Sequence, residues 1–145
     1  MKIHKPFRQY LILALLLGVS ASASASAEVV VIVSARSAVT RVTADQAARI
    51  FLGKANIFPG GGGAVPLDQL EGSSIRDEFY TKVAKKGSSQ LAAYWARIIF
   101  TGDGHPPEVH EGNGAMKKAV ANNPNAIGYI DKSAVDSSVR VILTP

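Results

Sequence analysis

The residues best equipped for chemistry sit together in positions 64–80, AVPLDQLEGSSIRDEFY. A short apolar strand leads into a polar turn at Glu71 and Gly72, and two serines then open an amphipathic helix. The start of a helix leaves backbone N–H groups without partners and carries the positive end of the helix dipole, so it suits phosphates and other oxyanions. Here the donors would be the Ser73 and Ser74 hydroxyls and the amides of residues 73–76. Arg76 would supply a counter-charge, and Gly72 would let the backbone come close. The same stretch also carries Asp68, Glu71, Asp77 and Glu78, which repel an anion. Ser74 and Asp77 have the spacing of a capping box, in which the helix supplies its own negative charge. Both readings, anion site and self-capped helix, stay open at this point.

Other candidate groups are weaker. GNGAMKK (112–118) offers a second helix start at Asn113 and Gly114, either facing the same ligand or simply capped by Asn113. Asp103, His105, Glu108 and His110 share one loop, but two prolines separate the histidines and no metal-ligand spacing results. The run GGGG (60–63) lacks the Gly-Lys-Ser/Thr that completes a phosphate-binding loop. There is no cysteine, no Gly-x-Ser-x-Gly elbow, and no acid–base pair that stands out among the eleven carboxylates. No catalytic residue, metal or cofactor is expected, and the chain does not read as an enzyme.

The elements that must hold these residues follow from periodicity. EVVVIVSA (28–35) is a β-branched run suited to a strand covered on both faces. Thr43 and Gln46 have capping-box spacing, which predicts a helix over about 44–52 that stops at Gly53. A strand near 64–68 leads to a helix over 74–84, with Ile75, Phe79 and Val83 on one stripe. Ser88 is expected to cap the next helix, whose Leu91, Tyr94, Trp95, Ile98 and Ile99 form a core-facing stripe. Asn113 is expected to cap a helix reaching about Asn122, which Pro124 cannot continue. AIGYI (126–130) and VRVIL (139–143) are the last strands. Strands alternating with helices give an α/β class.

The first 27 residues stand apart. Lys2, Lys5 and Arg8 precede the apolar run LILALLLGV, and SASASASA then supplies small residues in an A-x-A arrangement. That is the layout of a secretory signal peptide, too short in its apolar part to span a bilayer. Cleavage is expected after Ala27, with Ala25 as the alternative, which leaves 28–145 as one exported, periplasmic domain with no membrane span. Of the sixteen basic residues three lie in this leader, so the domain itself carries thirteen against eleven acidic ones. The basic residues are scattered and not interleaved with aromatics, so no nucleic-acid partner is expected.

ADQAARIFLGK, DQLEGSSIRDEF and GNGAMKKAVANNPNAIGYID occur in an order and spacing that resembles the phosphate-binding proteins of bacterial phosphate ABC transporters. IFLGK and NAIGYI are the most specific pieces, and the likeness extends over most of 29–143. It implies a type 2 periplasmic-binding fold, but only the second of its two lobes: a single-domain lobe with a central mixed sheet flanked by helices. In that family the turn reads Arg-x-Asp-Gly-Ser-Gly-Thr. The family arginine falls on Gln69, its aspartate on Glu71 and its first glycine on Gly72. The contact serine is Ser73, the next glycine Ser74 and the threonine Ile75. The resemblance therefore implies that one serine and the backbone donors survive, while a charged donor and a hydroxyl do not. Glu71 would take the part of the aspartate that accepts a proton from a monobasic anion.

Magnitudes limit such a site. Four donors at about 1 kcal/mol each, with up to ~1 kcal/mol from the helix start, correspond to a dissociation constant of about a millimolar. Phosphate or a similar oxyanion would thus bind weakly, or with help from Arg76 or from a second subunit, whether a homodimer or an envelope or transporter partner. The alternative expectation is an envelope interaction module that kept the fold and lost the ligand.

Overall fold

The computed structural model describes residues 28–145, so the leader and its cleavage site lie outside the described residues. The chain runs through β1 (Val29–Ser34), α1 (Ala44–Phe51), β2 (Val65–Asp68), α2 (Ser74–Phe79), α3 (Ser88–Thr101), β3 (Glu108–Val109), α4 (Gly112–Ala121), β4 (Ala126–Asp131) and β5 (Val139–Leu143). A π-helical turn, Tyr80–Ala84, prolongs α2, and a short 3-10 turn, Lys132–Ala134, joins β4 to β5.

The five strands form one mixed sheet in the order β3-β2-β4-β1-β5. β2 runs parallel to both β3 and β4, whereas β1 is antiparallel to β4 and β5 on either side. All six residues of β1 are buried, as expected for an unbroken β-branched run placed between two neighbours. Its odd residues, Val29, Val31 and Val33, join one core with Phe51, Phe79 and Tyr129. Its even residues Val30 and Ile32 join a second core with Met116, Val120 and Ile130. The period of two thus divides the apolar side chains between the two faces.

The helices follow their local signals with some exceptions. Thr43 and Gln46 form the expected capping box, with Oγ1 of Thr43 accepting from the Gln46 amide at 3.1 Å. Ser88 is not the cap of α3: that position is Gly87, whose N–H donates to Gln90 Oε1. Nor does Asn113 cap α4, because Glu111 occupies the cap position and Asn113 lies within the first turn. Along α3, Leu91 and Trp95 are buried, but Ile99 is 57% exposed because that end of the helix rises to the rim of a cleft. α4 packs tightly on β4 at Gly128, where a Cβ would sit 2.6 Å from Met116 Sδ. That spacing explains the glycine within AIGYI.

Candidate functional site

The turn after β2 is built as its residue types suggest. The Leu70 carbonyl accepts from the Ser73 N–H at 3.1 Å, and Gly72 between them has φ +87°, a conformation that side chains disfavour. Ser73, not Ser74, then caps α2, its Oγ accepting from the Arg76 amide at 3.3 Å. Asp77 is therefore one position too late for the reciprocal bond, and the Ser74–Asp77 capping box does not form. The Asp77 amide is taken by the Ser73 carbonyl. Of the four amides from 73 to 76, two are engaged. Those of Ser74 and Ile75 have no partner among the described residues. Ser74 itself is exposed and Ile75 is buried in the core.

The side chains of Gln69 and Asn113, singled out from separate parts of the sequence, are brought together. Gln69 is 2% exposed. Its Nε2 donates to the Tyr129 carbonyl at 2.9 Å and to Asn113 Oδ1 at 3.3 Å, and the same oxygen accepts from the Asp131 amide. Where the resemblance implies a ligand-binding arginine, a neutral amide ties the ends of β2 and β4 to the first turn of α4. Gly114 is exposed beside this bridge. The cluster closes on itself and leaves Gln69 no donor to offer a ligand.

Asp68, which sequence reading treated only as an unfavourable charge, is the hub of the region. Its carboxylate accepts from Tyr80 Oη at 2.7 Å, from Tyr129 Oη, and from the Gln69 amide at 2.8 Å. Burial first, then the neighbouring Asp68 charge, hold both phenols far above the ordinary tyrosine range, so both remain donors. Phe79 stacks on Tyr129 with ring centres 4.0 Å apart, which fixes the phenol from behind. The available signal was an aspartate ending an apolar strand, together with tyrosines on otherwise apolar stripes.

Arg76 is the remaining polar member. Its Nε lies 3.4 Å from Asp68 Oδ1, too far out of line for a hydrogen bond, and its guanidinium lies over the Tyr80 ring. From there it reaches a cleft of ≈ 410 Å³ under α3. Asp68, Glu71, Arg76 and Ser88 stand at the polar end, and Trp95, Ile99, Pro106 and Val109 contribute walls. Of the expected site residues, Gln69, Glu71 and Arg76 line this cleft, while Gly72, Ser73, Ser74, Ile75, Asn113 and Gly114 do not. No group of metal-ligating side chains gathers among the described residues, and none of their helices is long and apolar enough to cross a membrane.

Searches against protein-family models and against curated proteins return no match. Solved structures do match. A protein described as a phosphate ABC transporter substrate-binding protein from Clostridium perfringens, with phosphate bound, aligns at 28% identity and a TM-score of 0.65. An ABC-type phosphate transport receptor from Vibrio cholerae aligns at 21% identity and 0.63, a likeness of fold alone. PstS from Borrelia burgdorferi aligns at 17% identity and 0.56, a likeness of fold alone. In each case 80% of this chain is covered but only 44%, 45% and 46% of the other. The chain thus spans under half the length of the structures it matches, and its architecture is that of one lobe of a phosphate ABC transporter substrate-binding protein.

Proposed function

We propose that residues 28–145 form an exported, periplasmic solute-binding-like domain related to phosphate uptake, one that binds phosphate or a similar oxyanion weakly or together with a partner subunit. The observation that carries this reading is Arg76: a guanidinium held beside a buried carboxylate, past the carboxyl end of the parallel strand β2, and open to a cleft. Ligands of open α/β sheets gather at the carboxyl ends of strands. The likeness to a protein solved with phosphate bound supports the same choice of anion. The exposed Glu71 is placed to accept a hydrogen bond from a protonated oxyanion. Arg76, partly neutralised by Asp68, is the charged donor at the cleft, while the Ser73 and Ser74 hydroxyls and the two free amides lie outside its lining, which limits the strength to about a millimolar.

Calorimetric titration with phosphate and with sulfate tests this. Heat that saturates at millimolar ligand and is lost in Arg76→Ala supports the reading, with a smaller loss in Ser73→Ala. No heat at such concentrations from either anion retires oxyanion binding by the isolated chain.

A second reading is favoured by one specific observation. Phe100 is 91% exposed, and Ile99, Val109 and Leu70 are each about half uncovered. Such a surface suits an envelope or transporter partner, or a second copy that closes the cleft. A sedimentation series over protein concentration, with and without phosphate, separates a self-associating lobe from a monomer.

A further inference from the structure

Among the described residues only two buried side-chain polar atoms lack a hydrogen-bond partner, Arg76 Nε and Trp95 Nε1. Both residues line the same cleft. Buried donors are nearly always satisfied, so two orphans in one wall point to an acceptor that completes them. Trp95 is 6% exposed, and its benzo edge lies against Gly53, 3.6 Å from where a Cβ would be. The pyrrole edge that carries Nε1 therefore faces away from Gly53. The oxygen nearest Arg76 Nε, Asp68 Oδ1, already accepts from Tyr129 and the Gln69 amide, and makes an ion pair but no hydrogen bond with the guanidinium.

The rest of the cleft is not shaped for a bare oxyanion. Its volume, ≈ 410 Å³, lies in the range of about 300–1,000 Å³ common for organic ligands. Beyond the polar end its surface comes from Ala92, Ile99, Pro106 and Val109, none of which can donate a side-chain hydrogen bond. A tetrahedral ion hydrated on all sides would leave these walls wet and the second donor idle.

We infer that the cleft takes an organic anion, a phosphoryl or phosphonyl head bearing a small apolar substituent, with the head at Arg76 and the indole N–H and the substituent against Ile99 and Val109. This rests on the oxyanion reading above and names the ligand class of that cleft. Each methylene of the substituent that leaves water should strengthen binding about fourfold until the walls are covered.

Trp95 is the single tryptophan of the chain, so its emission reports on the cleft directly. The experiment titrates the folded 28–145 protein with inorganic phosphate and with methyl-, butyl- and phenylphosphonate, reading Trp95 fluorescence and calorimetric heat. The expected result is that butyl- and phenylphosphonate bind at least tenfold more tightly than phosphate and shift the emission. Arg76→Gln should lose all four ligands. The surface change Ile99→Ser, which adds no charge, should lose only the advantage of the substituted ones, and it keeps the test valid if Arg76→Gln unfolds. Phosphate binding as tightly as phenylphosphonate, still lost in Arg76→Gln, overturns the ligand class and leaves the oxyanion reading standing. Failure of all four ligands overturns both. Phosphonate binding that ignores Arg76→Gln in a folded protein overturns the inference too, because the anionic head would then play no part.

Discussion

Two regions lie a few residues apart on either side of Asp68, and they are built in opposite ways. On the β4 side, Gln69, Asn113, Tyr129 and the Asp131 amide satisfy one another in a closed seam. On the α3 side, Arg76 and Trp95 line an open cleft, and each keeps one buried donor without a hydrogen-bond partner. The seam holds strand ends together, and the cleft keeps unused capacity. The difference shows that residues at family-matched positions need not be the ones left available to a ligand. Gln69 stands where a contact arginine is implied, yet its amide is consumed internally. Arg76, four residues past the turn's own glycine, keeps its charge at the opening.

The contrast is most easily broken at its hinge. Asp68→Ala removes the acceptor for both phenols and the opposite charge for Arg76, so unfolding free energy should fall by about 3–5 kcal/mol, as read by urea denaturation. A loss under 1 kcal/mol would show that the seam does not depend on this carboxylate.

The next effect is alkaline. Tyr80 and Tyr129 are held protonated in the folded chain but ionise near pH 10 once unfolded. Below about pH 10 both states carry these protons and stability is flat from this source. Above it the unfolded state loses them first, so stability falls by about 1.4 kcal/mol per pH unit for each tyrosine. Tyr129→Phe should reduce that slope, measured by denaturation between neutral and alkaline pH.

On the cleft side the changes are smaller. Glu71→Gln removes the exposed carboxylate that accepts from a protonated oxyanion and should weaken binding of monobasic phosphate by about 1 kcal/mol. Calorimetry in low and high salt reads it, and tighter binding that added salt erases would mean that Glu71 only repels the anion. Phe100→Ser should alter stability by under about 0.5 kcal/mol, since the ring touches little of the core. A clear change in sedimentation with unchanged stability would assign that ring to an interface.

Much of the architecture was legible beforehand because it rests on local rules. β5 occupies 139–143 as expected, and α1 begins after the Thr43 cap and ends one residue short of expectation. β3 escaped notice because two residues between prolines and a glycine loop carry no periodicity, and its ladder depends wholly on Leu67 and Asp68. The π-helical turn at Tyr80–Ala84 likewise leaves no mark in residue type. The Ser73 turn was readable from Gly72 and the paired serines. The role of Asp68 was not, because burial of a carboxylate becomes favourable only when Tyr80 and Tyr129, 12 and 61 residues away, converge on it. Ile99 was misjudged for a related reason: helical spacing places it on the apolar stripe, but only the neighbouring layers decide how far along α3 that stripe is covered.

The placement of β1 has a consequence for how the chain reaches its final form. The first strand in sequence is an interior strand of the sheet, and both of its neighbours, β4 and β5, are supplied about a hundred residues later. Until residues 126–143 arrive, a strand that ends up wholly buried has nothing to pair with, and its long-range contacts must bear a large loop-closure entropy. Assembly of the core should therefore be slow and late, so a partly emerged chain stays extended and threadable.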